Sequence, residues 1–338
     1  MDCEIVYQKL KIKSQTVLSA IILSGIILVN NNGFSSLVPP YSQGQNINST
    51  SSPSSSFHAK ASMVDNLPSQ KVTVGDIDIA YKKVGKGGGA KPIILITGLG
   101  ATMDMWNPLL LEQLSSSNHT VIIFDNRGAG ESTAGRTKEF SISQFAKDTV
   151  GLLEALKIDK ADVLGWSMGS FIAQELALTN PDKVGSLILY ASGCGGKEAK
   201  PQSPEVIKTF SNTSMPPQEL RQKLISLSFP TVWFKANPDF LNYFPIPKES
   251  VSPEIMGKQS EAIANWTGTC NAITKITQPT LIIVGTDDAF TPALNSLMLV
   301  ERIPSSWLVQ IRDAGHGLMY QYPDEFNRVL MTFLEYNS

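Results

Sequence analysis

The run Ala161-Asp162-Val163-Leu164-Gly165-Trp166-Ser167-Met168-Gly169, continuing through Ser170 to Leu178, decides how this chain is read. Ala161–Leu164 has the character of a short buried strand, and the residues from Met168 to about Leu178 have that of a helix. A strand that turns into a helix within three residues crowds its own backbone two positions either side of the turn. Glycine stands at both of those positions, 165 and 169, and leaves Ser167 projecting at the apex.

Working outward, Lys71–Val74 and Ile77–Val84 alternate apolar and polar residues about Gly75-Asp76, a hairpin signal. Pro92–Thr97, Thr120–Phe124, Ser186–Tyr190, Thr280–Val284 and Trp307–Ile311 repeat the continuous apolar run of strands buried on both faces. Helical stretches lie between several of them. Ser141-Ile142-Ser143-Gln144 reads as a capping box opening a helix whose Phe145, Thr149, Leu152, Leu153 and Leu156 share one face. Strands alternating with helices predict an α/β domain over 69–338, with a mostly parallel sheet flanked by helices. Ligands on such sheets bind beyond the carboxyl ends of the strands. One region, about 197–274, breaks the rhythm. It holds helix-like pieces at Ser203–Ser211, Pro217–Ser228 and Pro253–Thr267, punctuated by proline and aromatics, and reads as an inserted helical cap over the strand ends.

A serine nucleophile needs a base, and the base needs an orienting carboxylate. His316, in Asp313-Ala314-Gly315-His316-Gly317, follows a strand and is the only histidine after Ser167. Asp287 and Asp288 both follow the preceding strand, and either supplies a carboxylate. The order Ser, Asp, His is the one expected when the nucleophile sits on a strand–helix elbow.

Taken with Ile96-Thr97-Gly98-Leu99-Gly100 and Asp125-Asn126-Arg127-Gly128-Ala129-Gly130-Glu131-Ser132, these segments resemble the α/β-hydrolase superfamily, in family order across residues 70–338. The resemblance implies an eight-stranded sheet. It selects Asp288 over Asp287, because the family acid lies three residues after the glycine that ends its strand, with a proline four further on. Gly285, Asp288 and Pro292 match that spacing. It also implies an oxyanion hole from the backbone N–H groups of Leu99 and Met168, although Thr97-Gly98 stands where the family usually has His-Gly. Asp125–Ser132 is implied to be a supporting turn. Serine at the nucleophile position argues against the dehalogenases and epoxide hydrolases of the superfamily, which use aspartate.

Composition narrows the rest. The chain has 338 residues, 42% hydrophobic and 17% charged, with a formal net charge of −2, which gives no attraction to nucleic acid. His58, His119 and His316 show no metal-ligand spacing, so no metal or cofactor is predicted. Cys3, Cys194 and Cys270 make no disulfide framework; Cys194 and Cys270 pair if the fold brings them together, but two buried free thiols are the expected state.

Lys9, Lys11 and Lys13 precede the apolar run Val17–Val29, the order of a secretory signal. As a helix that run spans only about 20 Å, short of the roughly 30 Å hydrocarbon core. Residues 1–35 are therefore expected to be a signal peptide, with an N-terminal membrane anchor as the variant, and 36–68 a disordered Ser/Asn/Pro-rich linker. Export is expected, as a secreted protein or one tethered on the extracytoplasmic side of a membrane. Sequons at Asn48, Asn118, Asn212 and Asn265 permit glycosylation there.

The expected activity is hydrolysis of a small-molecule carboxylic ester or lactone through Ser167, His316 and Asp288, with Trp106, Trp166 and Trp233 as candidate pocket residues. C–C bond hydrolysis, acyl transfer or perhydrolysis on the same triad, or non-catalytic ligand binding, are the alternatives. The sequence carries no signal for an oligomeric state.

Overall fold

A computed structural model describes residues 21–23, 26–30 and 67–338, apart from 137–139, 213, 240–243 and 246. Its centre is one sheet. In chain order the strands are β1 (Ile21–Leu23), β2 (Ile26–Asn30), β3 (Gln70–Val74), β4 (Ile77–Val84), β5 (Ile93–Ile96), β6 (Val121–Phe124), β7 (Ala161–Trp166), β8 (Val184–Tyr190), β9 (Thr280–Gly285) and β10 (Ser306–Ile311). Across the sheet they run β1-β2-β10-β9-β8-β7-β5-β6-β4-β3. The strands from β6 through β10 pair in parallel, while β3 and β4 are antiparallel to their neighbours. These eight strands, β3–β10, are those expected from the hairpin signal and the apolar runs.

Alternate residues of each central strand feed two separate cores. Ile94, Ile96, Val163, Leu189, Ile282 and Val284 pack with helices Ile142–Ala155, Met168–Thr179 and Ala293–Arg302. Ile93, Leu95, Leu164, Ile188, Leu281 and Ile283 pack with helices Pro108–Ser116 and Pro323–Tyr336. Burial on both faces is why these strands read as unbroken apolar runs. Ser141 caps its helix, accepting from Gln144 N at 3.1 Å.

At the β10 edge the structure adds what the apolar pattern did not call for. β2 pairs antiparallel with β10, and β1 pairs with β2. Part of the run expected as a signal h-region thus meets the unpaired N–H and C=O groups that an edge strand presents. The expected linker at 36–68 lies almost wholly outside the described residues, as does the end of the expected signal peptide near residue 35. Among the described residues no helix is long and apolar enough to cross a membrane.

Between β8 and β9, the described residues form four α-helices, Pro204–Ser211, Pro217–Leu227, Thr231–Ala236 and Pro253–Ala264. The expectation of two free thiols is corrected here. Cys194 and Cys270 are joined by a disulfide with Cα atoms 4.9 Å apart. The two ends of the insertion run side by side where the chain leaves and re-enters the sheet domain, and Thr269 N–H donates to Cys194 O at 2.7 Å. A sequence separation of 76 residues hid that proximity.

Cross-linking a loop of that length stabilises the folded state by about 2–4 kcal/mol. Replacing both cysteines by serine is therefore expected to lower the thermal midpoint by roughly 5–15 °C, with the same shift when reductant is added to the wild type. Equal midpoints for variant and wild type in non-reducing buffer would show that the bridge carries no stability.

Candidate active site

Ser167 holds φ 55° and ψ −119°, a conformation that L-residues rarely adopt. Its N–H donates to Tyr190 O at 3.0 Å, and its carbonyl accepts from Ser170 N–H at 2.8 Å and Ser170 Oγ at 2.6 Å. The turn closes this tightly because nothing larger than hydrogen flanks it. A Cβ on Gly165 would lie 2.2 Å from Gly169 O, and one on Gly169 would lie 2.0 Å from Ile96 O. The two glycines thus let the helix Met168–Thr179 start directly against β5 and β7.

Asp288 and His316 meet at the ends of β9 and β10. His316 Nδ1 is 2.8 Å from Asp288 Oδ2 and 3.0 Å from Oδ1. Asp288 is fully buried at its side chain, and its Oδ1 also accepts from the N–H groups of Phe290 (2.9 Å) and Thr291 (2.8 Å). A carboxylate at Nδ1 requires the proton on that nitrogen, so neutral His316 presents Nε2 as an acceptor. Asp287 is exposed and bonds to neither ring nitrogen, its side chain meeting the Thr286 hydroxyl instead. Gly285 makes the meeting sterically feasible, since a Cβ there would sit 2.1 Å from Ala314 O in the loop that carries His316.

That loop is pinned from three directions. Tyr190 Oη donates to His316 O at 2.6 Å and accepts from Met319 N–H at 3.3 Å. Burial pushes the Tyr190 phenol well above its ordinary pKa, so it stays a donor. Gln321 spans the turn, accepting from Gly315 N–H at 2.9 Å and donating to Asp313 O at 2.6 Å. Gly317 N–H reaches across to Ser228 O of the insertion at 2.9 Å. Phe290 stacks on the imidazole with ring centroids 4.8 Å apart. None of Tyr190, Gln321 and Ser228 has a motif around it that would have singled it out in the sequence.

On the other side of Ser167 lies the loop after β5. A Cβ on Gly98 would stand 3.2 Å from Ser167 Cβ and 3.8 Å from its Oγ, so the loop that leads into Leu99 lies against Ser167. Asn126 Nδ2 holds this loop through Thr97 O (3.3 Å) and Thr97 Oγ1 (3.2 Å). The rest of Asp125–Ser132 is structural in its bonding. Asp125 accepts from Met103 N–H (2.7 Å) and Glu131 N–H (2.9 Å), and burial pushes its carboxyl up to about 6 against those two bonds. Arg127 forms a bidentate pair with Asp148 at 2.7 and 2.8 Å and reaches Asp76 at 3.0 Å.

The three tryptophans divide. Trp166 adjoins Ser167, with its ring centroid 5.9 Å from both Tyr190 and His316. Trp106 is only 1% exposed and packs beneath it at 6.2 Å. Trp233 belongs to the insertion and stacks on Phe229 at 4.7 Å.

Holding a non-glycine residue at such φ and ψ costs about 1–3 kcal/mol. Ser167→Gly is therefore expected to be more stable than Ser167→Ala by about 1–2 kcal/mol in urea unfolding, with neither variant active. Equal stability of the two would mean that the elbow stores no strain.

Residues 91–323 match the sequence pattern of the alpha/beta hydrolase fold family. Over 278 residues the chain is 29% identical to the "Putative carbamate hydrolase RutD" of Azorhizobium caulinodans, covering 77% of this chain and 96% of that protein. The crystal structure of the enol-lactonase from Burkholderia xenovorans LB400 superposes with a TM-score of 0.65 at 25% identity, over 79% of this chain and 100% of that one. Est816, described as an N-acyl homoserine lactone degrading enzyme, superposes with a TM-score of 0.63 at 27% identity, over 78% and 100%. With the sheet order, the serine elbow and the family pattern in agreement, the chain belongs to the alpha/beta hydrolase fold family.

Proposed function

We propose that this hydrolase cleaves a small-molecule carboxylic ester or lactone through an acyl-enzyme on Ser167. The observation that carries the reading is the buried Asp288–His316 pair, its Nδ1 bond at 2.8 Å, formed at strand ends on the same edge of the sheet as the strained Ser167 elbow. Two relatives described as lactone-cleaving enzymes support the substrate class.

In this mechanism His316 Nε2 takes the Ser167 hydroxyl proton as Oγ attacks the carbonyl carbon. The negative charge that develops on the carbonyl oxygen is held by the N–H groups of Leu99 and Met168. Met168 sits at a helix N-terminus, where the peptide dipoles also favour negative charge. His316 then protonates the departing alkoxide. Water repeats the sequence in reverse, releasing the acid and restoring Ser167. Asp288 holds the imidazole in the tautomer that keeps Nε2 basic. Trp166 is the proposed wall of the substrate pocket beside the nucleophile, with Trp106 behind it and Trp233 at the insertion.

Export of the chain is part of the same proposal. The Cys194–Cys270 bridge supports it, because such bonds persist in oxidising compartments. So does the exposure of Asn118, Asn212 and Asn265, each at the head of a sequon. A secreted form and a tethered form, in which residues 26–30 would sit in a membrane instead of against β10, are separated by the N-terminal sequence of the mature protein.

The test is labelling of purified protein with a fluorophosphonate, followed by turnover of a short panel of p-nitrophenyl esters and lactones. Wild type is expected to label and turn over. Ser167→Ala should not label, and Ser167→Ala and His316→Ala should lose on the order of 10⁴-fold or more in kcat. Asp288→Asn should lose about 10⁴-fold, while Asp287→Asn stays near wild type. Folded wild type that takes no probe and cleaves nothing in the panel would contradict the acyl-enzyme reading.

A further inference from the structure

We infer that Gln259, on the helical insertion, is a positioning residue that fixes the oxyanion loop. This rests on the acyl-enzyme reading of the site. Gln259 lies on the helix Pro253–Ala264 and is 0% exposed. Its Oε1 accepts the Gly100 N–H at 2.9 Å, a contact between residues 159 apart in sequence. Gly100 belongs to a turn closed by Ala101 N–H donating to Gly98 O at 3.3 Å, with Gly100 at φ 69° in the third position, where glycine is required. The second position is Leu99, whose N–H is the proposed oxyanion donor. The peptide plane that Gln259 clamps therefore adjoins the plane that bears this N–H. The first turn residue, Gly98, rests against Ser167, so a small rotation of the turn moves the Leu99 N–H relative to Oγ.

The same helix face seats the clamp. Met256 Sδ would lie 3.2 Å from a Cβ on Gly100, and Ile255 packs over Gly128 of the supporting turn. The amide's orientation is set by its partner, since Gly100 N–H needs an acceptor. Among the described residues Gln259 Nε2 has no hydrogen-bond partner and is fully buried. An unmade bond of that kind is destabilising. Methionine or leucine would fill the same space without it, so packing alone does not account for glutamine. The acceptor it supplies to the loop does.

Oxyanion contacts strengthen as the tetrahedral intermediate forms, so loosening them lowers kcat and leaves KM nearly alone. Gln259→Met is expected to lower kcat on an activated p-nitrophenyl ester by about 10–100-fold with KM within about 3-fold. Inhibition by phenylboronic acid, which forms a tetrahedral anion on the serine, should weaken by a matching factor. Gln259→Asn, one methylene short of Gly100, is measured alongside so that a folded variant is in hand, and should behave alike. Unchanged kcat and boronic acid affinity in a folded variant overturn the inference. So does a rise in KM alone, which would place Gln259 in ground-state binding. A wild type that neither labels nor turns over would fail the acyl-enzyme reading instead, and the inference would be withdrawn with it.

Discussion

A serine placed at φ 55° between two glycines is the constraint on which the rest of this structure depends. The elbow is uphill for the backbone, and it survives because packing on every side over-determines it. The helix that follows Ser167 cannot move away from β5 and β7, since its residues Ile172, Ala173 and Leu176 are fully buried in the core on one face of the sheet. The serine's N–H is committed to β8 through Tyr190 O. The same Tyr190 uses its hydroxyl to hold the carbonyl of His316. One residue at the end of β8 thus bonds to both the Ser167 elbow and the His316 loop.

Charge is handled by the same logic of commitment. Asp288 is removed from water, yet three N–H groups converge on it, from Phe290, Thr291 and the imidazole. Those bonds leave the carboxylate little freedom except to orient His316. The turn Asp125–Ser132, by contrast, spends its charged groups on scaffolding. Arg127 is closed off by Asp148 and Asp76, and Asp125 by two backbone N–H groups. The insertion is rooted by the Cys194–Cys270 bridge and hydrogen-bonds to the His316 loop through Ser228 and to the Gly98–Ala101 turn through Gln259.

How much of this was legible in the sequence follows from the range over which each constraint acts. The Ser167 elbow was readable because its cause, two glycines flanking a tight turn, is local. The strands were readable because burial on both faces forces unbroken apolar residues. His316 stood out by scarcity alone. Asp288 and Asp287 were indistinguishable by chemistry; only the resemblance to the α/β-hydrolase superfamily, through its spacing to Gly285 and Pro292, separated them. The disulfide, the Tyr190 hydroxyl and the Gln259 clamp were not legible, since each joins residues that only the folded insertion and sheet order bring together. The pairing of β2 with β10 was likewise hidden, because a backbone edge leaves no mark on side-chain pattern.

In the proposed reaction the Ser167 elbow, the His316–Asp288 pair and the Leu99 and Met168 amides act as one preorganised acyl-transfer site. A crystal structure of the protein after reaction with a diethyl phosphate ester such as paraoxon tests it most directly. The account predicts phosphorus bonded to Ser167 Oγ, with the phosphoryl oxygen about 2.7–3.1 Å from both Leu99 N and Met168 N. Phosphorylation at another residue, or a phosphoryl oxygen turned away from those two amides, would contradict it.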